Sequence, residues 1–177
     1  MSVTNMNAIS ELTVRHELQA AMSEPVVLRG DDESTRVNAP QWILRSVLAA
    51  LSEGRISEAV AQFSDRFKFN DHGVALEFTD KPGLTEFFEK ARELFPDTTL
   101  EIVSLFESGD QAIAEWKLAA TQTMPYGSIS YRAPISLHGS TIVHVENGRI
   151  VQWSDYYDGL TSRRTALAAY FEEWVEL

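Results

Sequence analysis

Apolar and polar positions follow two different periods along the chain, and the change between them divides it into two parts. After Pro40 apolar residues recur at helical spacing up to Gly54, and a second helical stripe follows Pro82. From Thr98 onward apolar and polar residues alternate, which is the period of half-buried strands. The pattern predicts helices first, then a run of long strands, then a closing helix from Thr161 to Val175.

Turn signals separate the predicted strands. Ser108-Gly109-Asp110 and Pro125-Tyr126-Gly127 each mark a break, and Asn147-Gly148 is the strongest hairpin signal in the chain. An earlier strand is expected around Phe67 and Phe69, which alternate with polar residues. Helices and strands that are segregated in this way favour an α+β class, with the helices packed on one face of a curved antiparallel sheet.

The domain boundary is expected near residue 40. Arg29 to Thr35 is a charged stretch with a glycine and nothing to bury, which is typical of a linker. Residues 1–40 are therefore interpreted as an N-terminal extension and residues 41–177 as the domain itself. Within the domain, a bend or interruption of the long fourth strand is expected near Pro134 and Gly139.

The composition argues against several classes of function. The chain of 177 residues has no cysteine, which excludes a disulfide framework, a thiolate nucleophile and a cysteine-ligated zinc site. A formal net charge of -11 repels phosphate backbones, so nucleic acid is not an expected partner. No membrane partner, metal or cofactor is expected either, because neither a long apolar run nor a metal-ligand spacing of histidines is present. With no visible signal peptide, a cytoplasmic protein is the expectation.

Two segments resemble a known family. Residues 146–158, which contain Asn147-Gly148 and Asp155, closely resemble the final hairpin of limonene epoxide hydrolases and related SnoaL-like proteins. Residues 63–72 resemble the first strand of the same superfamily, which includes the ketosteroid isomerases. The element order from Trp42 onward is similar to the SnoaL-like branch of the NTF2-like superfamily. This resemblance implies a cone-shaped NTF2-like (cystatin-like) fold that forms a homodimer through its sheet.

Asp155 is the first candidate for a catalytic residue. Alternation places it on one face of the last strand together with Trp153 and Tyr157. A carboxylate among such side chains is desolvated, which raises its pKa and suits it to take or give a proton. The resemblance to limonene epoxide hydrolases implies the same role, because their matching aspartate activates water. The alternative is that Asp155 bonds neighbouring backbone near the end of the strand.

Asp71 is the second candidate. It shares the face of Phe67 and Phe69, and the resemblance to ketosteroid isomerases places it at the position of their general-base aspartate. Two carboxylates in one apolar cavity have their pKa values pushed apart, which permits an acid and a base at one pH. The alternative is a turn aspartate, because Asn70-Asp71-His72-Gly73 is also a favourable turn sequence.

Aromatic and histidine side chains complete the candidate site. A tyrosine hydroxyl is a candidate donor to an oxyanion, and a histidine is a candidate proton carrier near neutral pH. Tryptophan rings are candidate lining for a flat apolar ligand, although aromatic residues at such spacing are more often core. The candidate lining and donor residues are Tyr157, Trp153, Trp116, Tyr131, His72 and Trp42.

The middle strand departs from the epoxide hydrolase pattern. Those enzymes pair the last-strand aspartate with an Arg-x-Asp sequence, whereas here the two places hold Trp116 and Leu118, or Glu115 and Lys117, depending on register. Neither choice supplies the acid that opens an epoxide. Three hypotheses remain: a cofactor-free acid/base catalyst of the isomerase, cyclase or hydrolase type acting on an apolar small molecule, a non-catalytic carrier of a hydrophobic ligand, and an interaction module.

Overall fold

The helices precede the long strands, as predicted. The structure is a computed structural model that describes residues 38–126, 129–161 and 164, with the backbone alone at 124–126 and 129–131. The helices within these residues are α1 (Pro40–Ser52), α2 (Ile56–Ala61) and α3 (Lys81–Leu94). The strands are β1 (Phe63–Asp71), β2 (Leu76–Phe78), β3 (Thr99–Ser108), β4 (Gln111–Tyr126), β5 (Ile129–Glu146) and β6 (Arg149–Tyr157). Most of the predicted closing helix and of the N-terminal extension lies outside the described residues.

The two longer helices begin and end at residues that the sequence marks. Pro40 occupies the first turn of α1, and Gly54, at a φ of 73°, follows its end. The side chain of Asp80 caps α3 by accepting a hydrogen bond from the amide of Gly83 at 2.9 Å. Leu84, the next residue, is fully buried. Both helices therefore present an apolar stripe to the sheet.

The six strands form one mixed sheet in the order β2-β1-β6-β5-β4-β3. The pairings are antiparallel except for that of β1 with β6, which is parallel. Helix α1 packs against β3, β4 and β5, and α3 packs against β1 and β4, so the helices cover one side of the sheet, here called the inner face. The α+β class is confirmed. The expectation of a purely antiparallel sheet is wrong at one pairing, because β6 returns beside β1 in the same direction after a long connection.

The hairpin between β5 and β6 turns where the sequence predicts. Asn147 and Gly148 have φ values of 51° and 72°, the left-handed pair that a two-residue hairpin loop requires. In contrast, β5 pairs with β4 without a register break across both Pro134 and Gly139, so the predicted interruption there is not observed. Gly139 instead leaves room for a neighbouring ring, since a Cβ at this position would lie 2.5 Å from the indole of Trp116.

Aromatic rings fill the inner face around β1. Phe69 is fully buried, and its ring lies nearly parallel to that of Trp153 at 6.1 Å, with an interplanar angle of 15°. Offset and edge-on ring pairs of this kind stabilise a core by about 0.5–1.5 kcal/mol each beyond the area they bury. The other rings within 6.4 Å of Phe69 are Phe63, Phe78, Phe87 and Phe88. None of the helices in the described part of the chain is long and apolar enough to cross a membrane.

Candidate functional site

The strand register brings three polar side chains into one row on the inner face. The Cα of Asp155 pairs with that of Asp71 on one side and with that of Thr141 on the other. Neighbouring strands lie about 4.8 Å apart, so side chains that share a face at paired positions are close neighbours. We call Asp71, Asp155 and Thr141 the polar row. It lies beside the aromatic pair formed by Phe69 and Trp153.

The carboxylate of Asp155 accepts two hydrogen bonds. Thr141 Oγ1 donates to Oδ1 at 2.5 Å, and Trp153 Nε1 donates to Oδ2 at 2.7 Å. Withdrawal from water raises the pKa of Asp155 to about 7, the two hydrogen bonds oppose this rise, and the charge of Asp71 adds to it. This direction agrees with the predicted desolvation of Asp155, and its catalytic role stays a prediction. Near neutral pH this carboxyl group therefore exists in both its protonated and its ionised form.

Asp71 is 5% exposed and has a donor on each carboxylate oxygen. The amide of Val74 donates to Oδ1 at 3.1 Å, and the hydroxyl of Tyr157 donates to Oδ2 at 3.0 Å. Asp71 thus bonds the turn, as one interpretation of its sequence expects, and it pairs with Asp155; its catalytic role stays a prediction. Burial and the charge of Asp71 raise the pKa of Tyr157, which keeps its proton on the phenol.

Two glycines let the turn after β1 pack on the ring of Tyr157. A Cβ at Gly73 would lie 2.3 Å from Cζ of that ring, and a Cβ at Gly159 would lie 1.8 Å from the carbonyl oxygen of Gly73. The amide of His72 also donates to the carbonyl oxygen of Asp155 at 3.0 Å. Sequence reasoning missed this role of Gly73, although the turn signal before it was visible.

Trp116 contacts the polar row through a hydrogen bond. Its Nε1 donates to Oγ1 of Thr141 at 2.9 Å, and its ring centroid lies 6.0 Å from that of Tyr157. The open question of register on β4 is answered, since Trp116 and Leu118 lie on the inner face while Glu115 and Lys117 are exposed on the other. Thr141 was not among the predicted site residues; its signal in the sequence is a polar residue on the face of β5 that otherwise carries apolar ones such as Leu137 and Val143.

Two other predicted lining residues, Trp42 and His72, do not reach the polar row. Trp42 lies on α1 and is 47% exposed. His72 is exposed, and its ring stacks at 4.4 Å on that of Tyr156, which points away from the inner face. The side chain of Tyr131 lies outside the described residues. The roles of these residues in a site stay predictions.

Among the described residues, the groups that shift the pKa of Asp155 are neutral donors and a second carboxylate. These groups are Thr141, Trp153 and Asp71, with no lysine or arginine among them. Across residues 38–126, 129–161 and 164, no group of three or more histidine or carboxylate side chains is placed to hold a metal ion. The chemistry that this arrangement offers is proton transfer at a carboxyl group that is poised near neutral pH.

Comparison with known proteins identifies the fold. A family model described as SnoaL-like domain matches residues 44–153. A structure from Shewanella denitrificans, assigned to the SnoaL-like polyketide cyclases, aligns with a TM-score of 0.63 at 14% identity and covers 73% of this chain and 97% of its own. A search of curated proteins gave no match at the significance required.

Two further structures have the same architecture. A protein of Catenulispora acidiphila with a ketosteroid isomerase-like fold, in complex with trimethylamine, aligns with a TM-score of 0.62 at 15% identity and covers 72% of this chain and 93% of its own. A limonene epoxide hydrolase-like epoxide hydrolase of M. tuberculosis aligns with a TM-score of 0.58 at 14% identity and covers 78% and 96%. At these identities the likeness shows the fold alone. The predicted NTF2-like fold is thereby confirmed.

The raised pKa of Asp155 should make the protein less stable as the pH rises from about 5 to about 8. The folded-state pKa of about 7 exceeds the ordinary value of 3.8, so between these values the folded state holds a proton that the unfolded state has lost. Relative to Asp155→Asn, the free energy of unfolding of the wild type should fall by about 2 kcal/mol across this window. Urea unfolding of both proteins at the two pH values measures the change.

The matched control for this experiment is Asp65→Asn, because the side chain of Asp65 is fully exposed. The stability difference between this variant and the wild type should not change between pH 5 and pH 8. If the difference between wild type and Asp155→Asn is equally independent of pH, Asp155 does not titrate near neutrality and the acid/base proposal loses its basis.

Gly73→Ala should displace the ring of Tyr157. The new methyl group would overlap that ring, and overpacking of this kind destabilises by about 1–3 kcal/mol. The destabilisation should largely disappear in a Tyr157→Ala background, because the obstructing ring is gone. Chemical denaturation of the wild type, both single variants and the double variant measures this coupling. Equal destabilisation in both backgrounds would show that the methyl group meets a different obstacle.

Proposed function

Because the chain belongs to the SnoaL-like domain family of the NTF2-like superfamily, we propose that it is a cofactor-independent acid/base catalyst that acts on an apolar small molecule. The reaction is of the isomerase, cyclase or hydrolase type. The observation that carries this proposal is the pair of Asp155 and Asp71, which are register partners on an apolar face, with the pKa of Asp155 raised to about 7. A carboxyl group with this pKa can take a proton and return it at neutral pH.

Asp155 is the proton carrier in this proposal, and Asp71 is its electrostatic partner. When Asp155 takes a proton, its repulsion with the carboxylate of Asp71 is relieved, which favours the uptake. The hydroxyl proton of Tyr157 is already donated to Asp71. Tyr157 therefore supports Asp71 in the resting state, and it can donate to a substrate only by exchanging that bond.

The surroundings of the polar row favour an apolar, carbonyl-bearing or polyketide-like substrate. Trp116 and Trp153 lie against it, and Phe69 stacks beside it. The relative assigned to the polyketide cyclases and the Catenulispora protein in complex with trimethylamine support small-molecule binding in this fold. Epoxide opening has less support, because the inner face of β4 presents Trp116 and Leu118 where epoxide hydrolases have an arginine and an aspartate.

Non-catalytic binding of a hydrophobic ligand is the second candidate function. It is favoured by the fact that each carboxylate already accepts two hydrogen bonds from protein donors, one on each oxygen. A carrier requires such polar groups to be satisfied, whereas a catalyst requires one of them to exchange partners with its substrate.

The two functions can be separated with a panel of apolar ketones, β-diketones and epoxides. Proton exchange adjacent to the carbonyl is followed in D₂O by NMR, and epoxide hydrolysis by product formation. Removal of a general base slows its reaction by about 10²–10⁴-fold, so Asp155→Asn should lose turnover by at least that lower factor. Asp65→Asn should keep the wild-type rate, because its side chain is fully exposed.

The dependence of the rate on pH gives a second criterion. Where Asp155 acts as the base, turnover should rise through a pH of about 7 and level off above it. Compounds that bind the wild type and Asp155→Asn alike, with no exchange or hydrolysis by either, would support the carrier function. Turnover by Asp155→Asn at the wild-type rate would contradict catalysis by this residue.

We also propose that the protein forms a homodimer through the outer face of the sheet, opposite the helices. Phe106, Ile113 and Ile142 are paired across β3, β4 and β5 on this face. Phe106 is 66% exposed and Ile113 is 42% exposed. Adjacent apolar side chains that are exposed in this way mark interaction surfaces.

Ile113→Glu should convert the dimer to a monomer, because two copies would bury like charges against each other. Light scattering after size exclusion should give twice the chain mass of 19.9 kDa for the wild type and one chain mass for the variant. Leu160→Glu is the control, since Leu160 is 52% exposed but lies outside the sheet. A wild type of one chain mass would contradict the proposed dimer.

A further inference from the structure

Trp116 reaches Asp155 through the hydroxyl of Thr141. The indole Nε1 donates to Oγ1 of Thr141 at 2.9 Å, and the same oxygen bonds Oδ1 of Asp155 at 2.5 Å. Thr141 is completely buried and Trp116 is 5% exposed, so water does not compete for these contacts. The three side chains form a continuous chain of hydrogen bonds across β4, β5 and β6.

The indole decides the direction of these hydrogen bonds. A tryptophan Nε1–H group can only donate, so the oxygen of Thr141 must be the acceptor in its bond with Trp116. The single hydroxyl proton of Thr141 is then free to point at Asp155. A donor that is held in this direction stabilises the ionised carboxylate relative to the protonated form.

We propose that Trp116 and Thr141 are positioning residues that act in series to hold Asp155 in its ionised, proton-accepting form. This role rests on the proposed function of Asp155 as a base. Trp116 thereby has a different task from that of a ligand-lining ring, since it acts on the base through Thr141.

The hydrogen bonds that run from Trp116 through Thr141 to Asp155 are here called the relay. The sheet fixes the geometry of this relay. Trp116 is the register partner of Gly139, and Thr141 lies two residues further along β5 on the same face. Because Gly139 has no side chain, the indole can lie over it, where a Cβ would be 2.5 Å from Cη2. The ring can then extend from β4 across the position of Gly139 towards the hydroxyl.

Other groups around Asp155 act on its other oxygen or through charge. Trp153 donates to Oδ2, so each carboxylate oxygen has one protein donor and one free lone pair. The ionisable groups that interact with Asp155 are Asp71 on β1 and Tyr157 on β6. No ionisable group of α1 or α3 is among those that shift it. The hydrogen bond that Asp155 receives from β5, supported by Trp116 of β4, is therefore separate from the effects of Trp153 and Asp71.

The first test is the pKa of Asp155, measured by carboxyl ¹³C NMR in threonine variants. Thr141→Val removes the donor with little change in side-chain volume. It should raise the pKa of Asp155, which is about 7 in the wild type, by about 1 to 2 pH units. Thr141→Ser keeps the hydroxyl and should restore the wild-type value. Thr121→Val is the matched control, because Thr121 lies on β4 of the same sheet but bonds Asp97, which precedes β3, and not Asp155.

The second test asks whether Trp116 acts through Thr141. Trp116→Phe keeps an aromatic ring but removes the N–H donor, so it should also raise the pKa of Asp155. In a Thr141→Val background the same substitution should have no further effect. If Thr141→Val fails to fold, Trp116→Phe carries the test alone, because it leaves the hydroxyl and the carboxylate in place.

The relay is overturned if Thr141→Val leaves the pKa of Asp155 unchanged, or if Trp116→Phe changes it equally with and without the hydroxyl. Neither measurement requires a substrate, so its outcome is independent of the turnover assay. A raised pKa together with full turnover by Asp155→Asn would preserve the relay and reject the proposed function. With an active substrate, Thr141→Val should shift the pH of half-maximal kcat upward and leave KM unchanged.

Discussion

The register of β6 between β1 and β5 determines which side chains meet on the inner face. Asp155 lies opposite Asp71 on one side and opposite Thr141 on the other. Side chains alternate along a strand, so a slip of one residue would send Asp155 to the outer face and bring a neighbour inward. Trp153, fully buried and stacked on Phe69, opposes that slip, because its ring would lose its place in the core. The aromatic packing therefore holds the two carboxylates together.

Two carboxylates at paired positions repel each other, and withdrawal from water adds to the cost. The sheet offsets this by directing two hydrogen-bond donors at each of them. A hydrogen bond to a charged group contributes about 1.5–3 kcal/mol, which is comparable to the penalty that a raised carboxylate pKa represents. The balance is incomplete at Asp155, whose pKa is raised to about 7, and in the proposed function this remaining mismatch suits the group to proton transfer.

Features set by local sequence could be predicted, whereas those set by distant pairing could not. Alternation along β6 correctly placed Asp155 on one face with Trp153 and Tyr157, and the hairpin at Gly148 followed from its dipeptide signal. Strands β1 and β6 pair in parallel although β2, β3, β4 and β5 all lie between them in the sequence, so no local pattern predicts this pairing. Thr141 was missed because its importance comes from partners on two different strands. Whether Trp116 or Glu115 lies on the inner face likewise depends on the pairing register of β4, which a local pattern does not give.

The electrostatics of the described residues around Asp155 bear on the class of reaction in the proposed function. Opening an epoxide or expelling an alkoxide builds negative charge on a substrate oxygen, which needs a strong donor or a positive group near it. Among the described residues, the groups that act on Asp155 are two neutral donors and a second carboxylate, and that carboxylate disfavours further negative charge nearby. Proton abstraction beside a carbonyl also places negative charge on a substrate oxygen, as an enolate, until the proton is returned to carbon. In the proposed function, each of these reactions therefore needs a donor to the substrate oxygen, and Tyr157 is the candidate once it exchanges its hydrogen bond with Asp71.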